Sequence, residues 1–218
     1  KNKIAVPSHI FGPNETYVWK DFLDFLKTYD IASNVLQTGD DYYTLIYDYL
    51  VRSAKNGGIY CELMVSPDHA RLCGIPYEAM LDGCVRAIDQ ARKDGGIEGR
   101  LIITCVRHFD VDACIEVAKL AVNHPHPYVV GFGMGGDEMN FPNRNFTQPF
   151  QIAAEGGLQC TTHAGEMVGP QSVWEAINYL SVKRIGHGVR SIEDPKLIDT
   201  LIEKNITLEV CPGSNIAL

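Results

Sequence analysis

Four short apolar runs in this 218-residue sequence end in residue types that can do acid–base, metal or ligand-binding chemistry. Gly135-Gly136-Asp137-Glu138 follows the run 128–134, and His163-Ala164-Gly165-Glu166 follows 158–162. His187-Gly188 follows 183–186, and Cys211-Pro212-Gly213-Ser214-Asn215 follows 206–210. A histidine ending a strand can offer a neutral imidazole nitrogen to a metal ion. A carboxyl three residues on, past Ala-Gly, can turn over the same pocket without ligating the ion. There it can move protons beside a metal-bound water. The same residues also read as a hydrogen-bonded core histidine at 163, a helix-start charge at 166 and a structural histidine at 187. What favours chemistry is their recurrence at successive strand ends.

The elements that must position these residues follow from hydrophobic periodicity. Val18, Phe22, Phe25 and Leu26 fall at i, i+4, i+7 and i+8 and predict a first helix. A second is expected from Asp40 to Ala54, stopped by Gly57-Gly58. Runs at 59–65, 101–106, 128–134, 158–162, 183–186 and 206–210 have the near-continuous apolar character of strands buried on both faces of a parallel sheet. Val111, Cys114, Ile115, Ala118 and Val122 predict a buried helical stripe. Ser172-Val173-Trp174-Glu175 has the pattern of a capping box, and Asp194-Pro195 that of an N-cap followed by Pro at the first helical position. Alternating strands and helices give an α/β fold, either an open doubly wound sheet or a (β/α)8 barrel. Both architectures gather ligands at the C-terminal ends of the strands.

Composition narrows the function classes. The net charge is −8, with no Lys/Arg-rich run, so the electrostatic footprint of a nucleic-acid binder is missing. No apolar run reaches the ~18 residues of a membrane span, and the first residues lack the apolar core of a secretion signal. Seven cysteines, an odd number without a C-x-x-C pair, predict reduced thiols and a cytoplasmic protein. Tyr43 and Tyr47, at i and i+4, read as helix-face packing.

Taken together, Val129–Glu138 (V-V-G-F-x-M-x-G-D-E), Thr162–Glu166 (T-H-A-G-E), Arg184–Val189 (R-I-G-H-G-V) and Glu209–Asn215 (E-V-C-P-G-S-N) closely resemble the adenosine deaminase family, bacterial members above all. Tyr17-Val18-Trp19 and Glu62-Leu63 with Val65-Ser66-Pro67 extend the resemblance over nearly the whole chain. The resemblance implies a TIM-type (β/α)8 barrel, with residues 1–218 as a single incomplete domain holding about six of its β/α units and lacking the first and eighth strands. It implies one Zn2+ and the hydrolysis of adenosine or deoxyadenosine to inosine or deoxyinosine plus ammonia. His163 matches a zinc ligand, and Glu166 the acid that protonates purine N1. His187 matches the histidine that orients and deprotonates the zinc-bound water, and Gly136 the glycine whose amide contacts purine N3. The implied partner is a small purine, with no nucleic acid and no membrane. The cytidine-type deaminases are excluded, because Cys211-Pro212 reverses their P-C order and no second cysteine follows.

The sequence also departs from the family. An H-x-H pair on the first strand and an Asp-Asp after the eighth are absent. The preferred reading assigns Lys3–Gly12 to the loop after the family's first helix, which makes His9 a loop residue. His124-Pro125-His126 is the sequence's own H-x-H, but it precedes a strand and reads as a loop. His69 and His108 follow strands and read as loop or supporting residues, and Glu62 as a structural carboxylate. Asp137 and Glu138 are expected to order the Gly136 loop, with positioning of Glu166 or His187 by Glu138 as a lesser alternative. Two further functions remain open. One is deamination of a related aminopurine such as adenine, because the ribose-reading residues lie outside these motifs. The other is a non-catalytic purine-binding relative, suggested by the missing ligands.

Overall fold

The computed structural model describes residues 2–218, and its backbone packing separates two compact units, Lys1–Leu101 and Ile102–Leu218. The first unit contains α1 (Phe22–Ser33), α2 (Gly39–Lys55), β1 (Tyr60–Val65), α3 (Pro67–Leu72), α4 (Tyr77–Gly95) and the start of β2 (Glu98–Val106). The predicted first helix is shorter than its apolar stripe. Asp21 is extended and its carboxylate accepts the Asp24 amide at 2.9 Å, so the helix begins at Phe22 and Val18 lies outside it. The second helix forms as expected, with Thr38 Oγ1 accepting the Asp41 amide. His9 is exposed in a 3-10 turn, Ser8–Ile10, as the loop reading requires. Tyr43 and Tyr47 stack at 5.8 Å, with Arg86 over the Tyr43 ring, so they are packing residues. Glu62 accepts the Tyr60 hydroxyl at 2.8 Å.

The second unit continues from β2 through α5 (Val111–Asn123), β3 (Val129–Gly135), α6 (Thr147–Glu155), β4 (Gln159–Ala164), α7 (Pro170–Tyr179), β5 (Arg184–His187), α8 (Pro195–Glu203), β6 (Thr207–Glu209) and α9 (Pro212–Ala217). β1 neighbours β2 in the sheet, and from β2 the strands follow one another in chain order to β6. That succession decides between the two architectures. A doubly wound sheet reverses its strand order at a switch point, whereas a (β/α)8 barrel keeps chain order throughout. The fold is therefore α/β of barrel type with six strands. β3 to β6 pair in parallel, with Ala164 opposite His187 and Gly186 opposite Glu209.

Burial on both faces holds for β2 to β5 but not for the outer strands. In β1 the buried Leu63 and Val65 flank an exposed Met64, and β6 has no fully buried residue. The core of the second unit centres on Phe132, Phe146 and Phe150, all at most 1% exposed, with the Phe132 and Phe150 rings edge to face at 5.2 Å. Each such ring contributes ~1.5–3 kcal/mol by burial.

The capping box expected at Ser172–Glu175 does not form. α7 starts three residues earlier, at Pro170 with Gly169 as its N-cap residue, and no side chain caps it. Ser172 is buried inside the helix, where its Oγ and carbonyl accept from the Asn143 amide group, and Glu175 pairs with Arg144. Asp194 caps α8 as predicted, accepting the Lys196 and Leu197 amides and also Trp174 Nε1. All seven cysteines are free. Among the described residues, no helix is long and apolar enough to cross a membrane.

Candidate active site

Parallel pairing brings the two histidines together. His163 stands one residue from the end of β4 and His187 at the end of β5, and the register of Ala164 with His187 leaves their rings 5.1 Å apart at 55°. Gly186, the residue opposite His163, makes room for the ring, since a Cβ there would lie 3.1 Å from His163 Nδ1. That Nδ1 is out of reach of solvent and has no hydrogen-bond partner. Burial, followed by His187 and Arg107, pushes the His163 pKa down to about 3. The imidazole is thus held neutral, the form that ligates metal.

His187 has a left-handed backbone, φ 64°, a conformation that costs a non-glycine residue ~1–3 kcal/mol and persists only where the surroundings impose it. Here Ala164 accepts the next amide, Gly188 N–H, at 2.9 Å. The resulting turn sets the imidazole between two oxygens. Nε2 lies 3.3 Å from Glu166 Oε1, and Nδ1 lies 3.3 Å from Asn215 Oδ1. The Glu166 side chain is only 6% exposed. Its burial pushes the carboxyl above the usual carboxylate range; His187 and Arg107 oppose this and Glu138 adds to it. A carboxyl so placed keeps its proton to higher pH than a free one, as a general acid must.

Gly136 follows β3 at φ 103°, where a Cβ would meet His108 Nδ1 at 2.5 Å. Glycine is required by this close approach, and His108 Nδ1 then accepts the Asp137 amide at 3.4 Å. Asp137 in turn accepts from Met139 N, Asn140 N and Asn140 Nδ2, which closes the loop as expected.

Arg107 is not among the residues the sequence singles out, whereas His108 reads there as a loop or supporting residue and Asn215 belongs to the motif after 206–210. Arg107 is fully buried directly after β2 and donates to the His163 carbonyl at 2.7 Å, to Thr162 Oγ1 and to the Phe141 carbonyl. Asn215 stands behind His187, and His108 supports the Gly136 turn. Arg107 follows β2 directly, so the rule that led to His163 could have found it. His126 lies before β3, where its Nδ1 accepts the Tyr128 amide at 3.1 Å, so the H-x-H pair sits at the opposite end of that strand from Gly136.

The donor set fits one corner of a zinc site. The buried, unpartnered Nδ1 of His163 is a nitrogen that a ligated ion would leave no worse off, and the neutral ring suits zinc. Catalytic zinc takes about three protein ligands. Among the described residues, no group of three or more His, Cys, Asp or Glu side chains is arranged to hold an ion.

The chain is an α/β fold of barrel type that brings His163, Glu166 and His187 together at the ends of adjacent strands. The adenosine deaminase family model matches residues 1–218, and the chain belongs to that family. It is 44% identical over 202 residues to an adenine deaminase of Chelativorans sp. (strain BNC1), covering 93% of this chain and 62% of the relative. An adenine deaminase of Agrobacterium fabrum is also 44% identical, over 216 residues, 99% of this chain and 66% of the relative. The chain therefore spans just under two thirds of the length of these curated relatives. Among solved structures, an adenine deaminase from Arthrobacter aurescens superposes with a TM-score of 0.85 at 32% identity, over 92% of this chain and 61% of that one. An amidohydrolase from Burkholderia ambifaria with bound Zn gives 0.86 at 25% identity, over 95% of this chain and 57% of that one.

Proposed function

We propose that this chain carries the acid–base centre of a zinc-dependent hydrolase that deaminates adenine, releasing ammonia from C6. The observation that carries the reading is the buried Glu166 carboxyl, held toward its protonated form 3.3 Å from His187 and one strand-end from His163. The free base is favoured over adenosine and deoxyadenosine by the relatives at 44% identity, which bear the name adenine deaminase.

In this reading Glu166 donates its proton to N1 of the purine ring, which makes C6 electrophilic. His187 orients the attacking water and takes its proton, with Asn215 fixing the ring from the other side. The Gly136 amide faces purine N3. His163 would be one ligand of a zinc ion, which when bound supplies hydroxide near neutral pH. His187 then gives that proton to the amino nitrogen, the C6–N bond breaks to release ammonia, and the C6 hydroxyl proton returns to Glu166 as the C6 carbonyl forms. The absence of a base-rich surface suits a small substrate, and seven unpaired cysteines suit a cytoplasmic setting.

Ammonia release from adenine and from adenosine, measured side by side on zinc-loaded protein, tests the reading. Turnover of adenine well above adenosine supports it. Preference for adenosine would restore the nucleoside as substrate, and purine binding without ammonia release from either would overturn the enzyme reading.

A further inference from the structure

The loop that carries Glu166 lies outside regular secondary structure, yet its peptide groups are almost fully engaged. Glu138, 2% exposed, accepts four consecutive amides: Gly165 N at 2.5 Å through Oε1, and Glu166 N at 3.2 Å, Met167 N at 2.7 Å and Val168 N at 3.0 Å through Oε2. The convergence depends on Gly165, whose left-handed φ of 67° turns successive N–H groups to one side and makes a concavity for an anion. The carbonyl side is held by cations and amides. Arg107 donates to His163 O at 2.7 Å, Gly188 N to Ala164 O at 2.9 Å, Arg190 N to Gly165 O at 3.2 Å and Arg190 Nη1 to Met167 O at 2.7 Å.

Hydrogen bonds to an ionised partner are worth roughly twice neutral ones, so one carboxylate shared by four amides fixes this backbone more firmly than the turn's own bonds could. We infer that Glu138 is a positioning residue for the deamination proposed above: its carboxylate gathers the amides of Gly165–Val168 while Arg107 holds the His163 carbonyl, and the two together aim the Glu166 carboxyl at the reacting ring. Glu138 touches no substrate atom in this account. Its effect passes through the backbone of the loop, and so the inference rests on Glu166 being the acid.

Glu138→Gln tests it, because the amide keeps the shape but turns an NH2 group toward N–H donors. Amide hydrogen exchange, followed by mass spectrometry on the purified protein, reads the loop directly. Exchange in the segment 165–168 is expected to be slow in the unaltered protein and at least ten times faster in Glu138→Gln, with α7 unchanged. Equal exchange in the two proteins would overturn the inference. Should the variant fail to fold, amide proton shifts of Gly165 and Met167 in the unaltered protein replace it. Shifts well downfield of other loop amides support the carboxylate bonds, and ordinary loop shifts contradict them. On adenine, the folded variant is expected to lose tenfold or more in kcat with KM within threefold; a raised KM at unchanged kcat would overturn positioning. A protein that deaminates neither substrate would sink the proposed function while the exchange result still decides whether Glu138 holds the loop.

Discussion

The chain buries histidines in two contrasting ways. In the first unit His69, 7% exposed, gives Nε2 to Asp30 Oδ1 at 2.9 Å and sets its ring edge against Tyr29 at 5.5 Å. At the ends of β4 and β5, His163 keeps an unpartnered buried nitrogen, and His187 adopts a left-handed backbone to reach Glu166. Both settings follow strands, and both were open to a functional or a structural reading. Burial does not separate them. What separates His163 from His69 is the buried Nδ1 without a partner, since a native fold leaves few such groups and those exceptions need a reason, and what separates His187 is the strained backbone that brings it to Glu166.

If the contrast is correct, substitutions in the two places should fail in different ways. The largest effect is expected for Glu166→Gln. Adenine turnover should fall ~10²–10⁴-fold, the usual contribution of a general acid, as read by ammonia release. His163→Ala should lower turnover by ~10²-fold or more and reduce bound zinc measured by elemental analysis, because a Lewis-acid ion is worth several kcal/mol. His69→Ala should do the reverse. It leaves Asp30 without its imidazole partner and is expected to cost ~1–3 kcal/mol of stability, seen as a lowered denaturation midpoint, with turnover within threefold of the unaltered protein. A loss of turnover in His69→Ala comparable to that of Glu166→Gln would break the contrast.

The smallest effect concerns stability at the site itself. A carboxyl whose folded pKa is raised binds its proton more tightly folded than unfolded, so stability is lost as pH rises from about 4.5 through the folded value. Glu166→Gln removes that loss. The variant should melt above the unaltered protein at neutral pH, and the gain should vanish below the unfolded carboxyl pKa of about 4.5. An equal gain at every pH would mean that the raised carboxyl is not its source.

The barrel-type succession and the strand-end residues were legible in the sequence because β2 to β5 are buried on both faces, so their apolar runs stop sharply where His163, His187 and Gly136 begin. The helix starts were less legible. Asp21 cut the first helix short of Val18 because a cap overrides apolar spacing. Ser172 and Glu175 were drawn instead into bonds with Asn143 and Arg144, partners about thirty residues away that no local pattern reveals. For Glu138 the sequence offers ordering of the Gly136 loop first and positioning of Glu166 or His187 only as a lesser alternative, since its four amides lie 27 to 30 residues further along the chain. Arg107 ends an apolar run, where a cation reads as the first residue of a solvated loop; only the fold shows that it points inward.

The claim on which the account turns is that Glu166 holds a proton where an ordinary carboxyl would have lost it. Carbon-13 NMR titration of its carboxyl, assigned by the signal missing in Glu166→Gln, measures this directly. The account predicts a midpoint clearly above the ordinary glutamate value of 4.5. A midpoint at or below that value would contradict it.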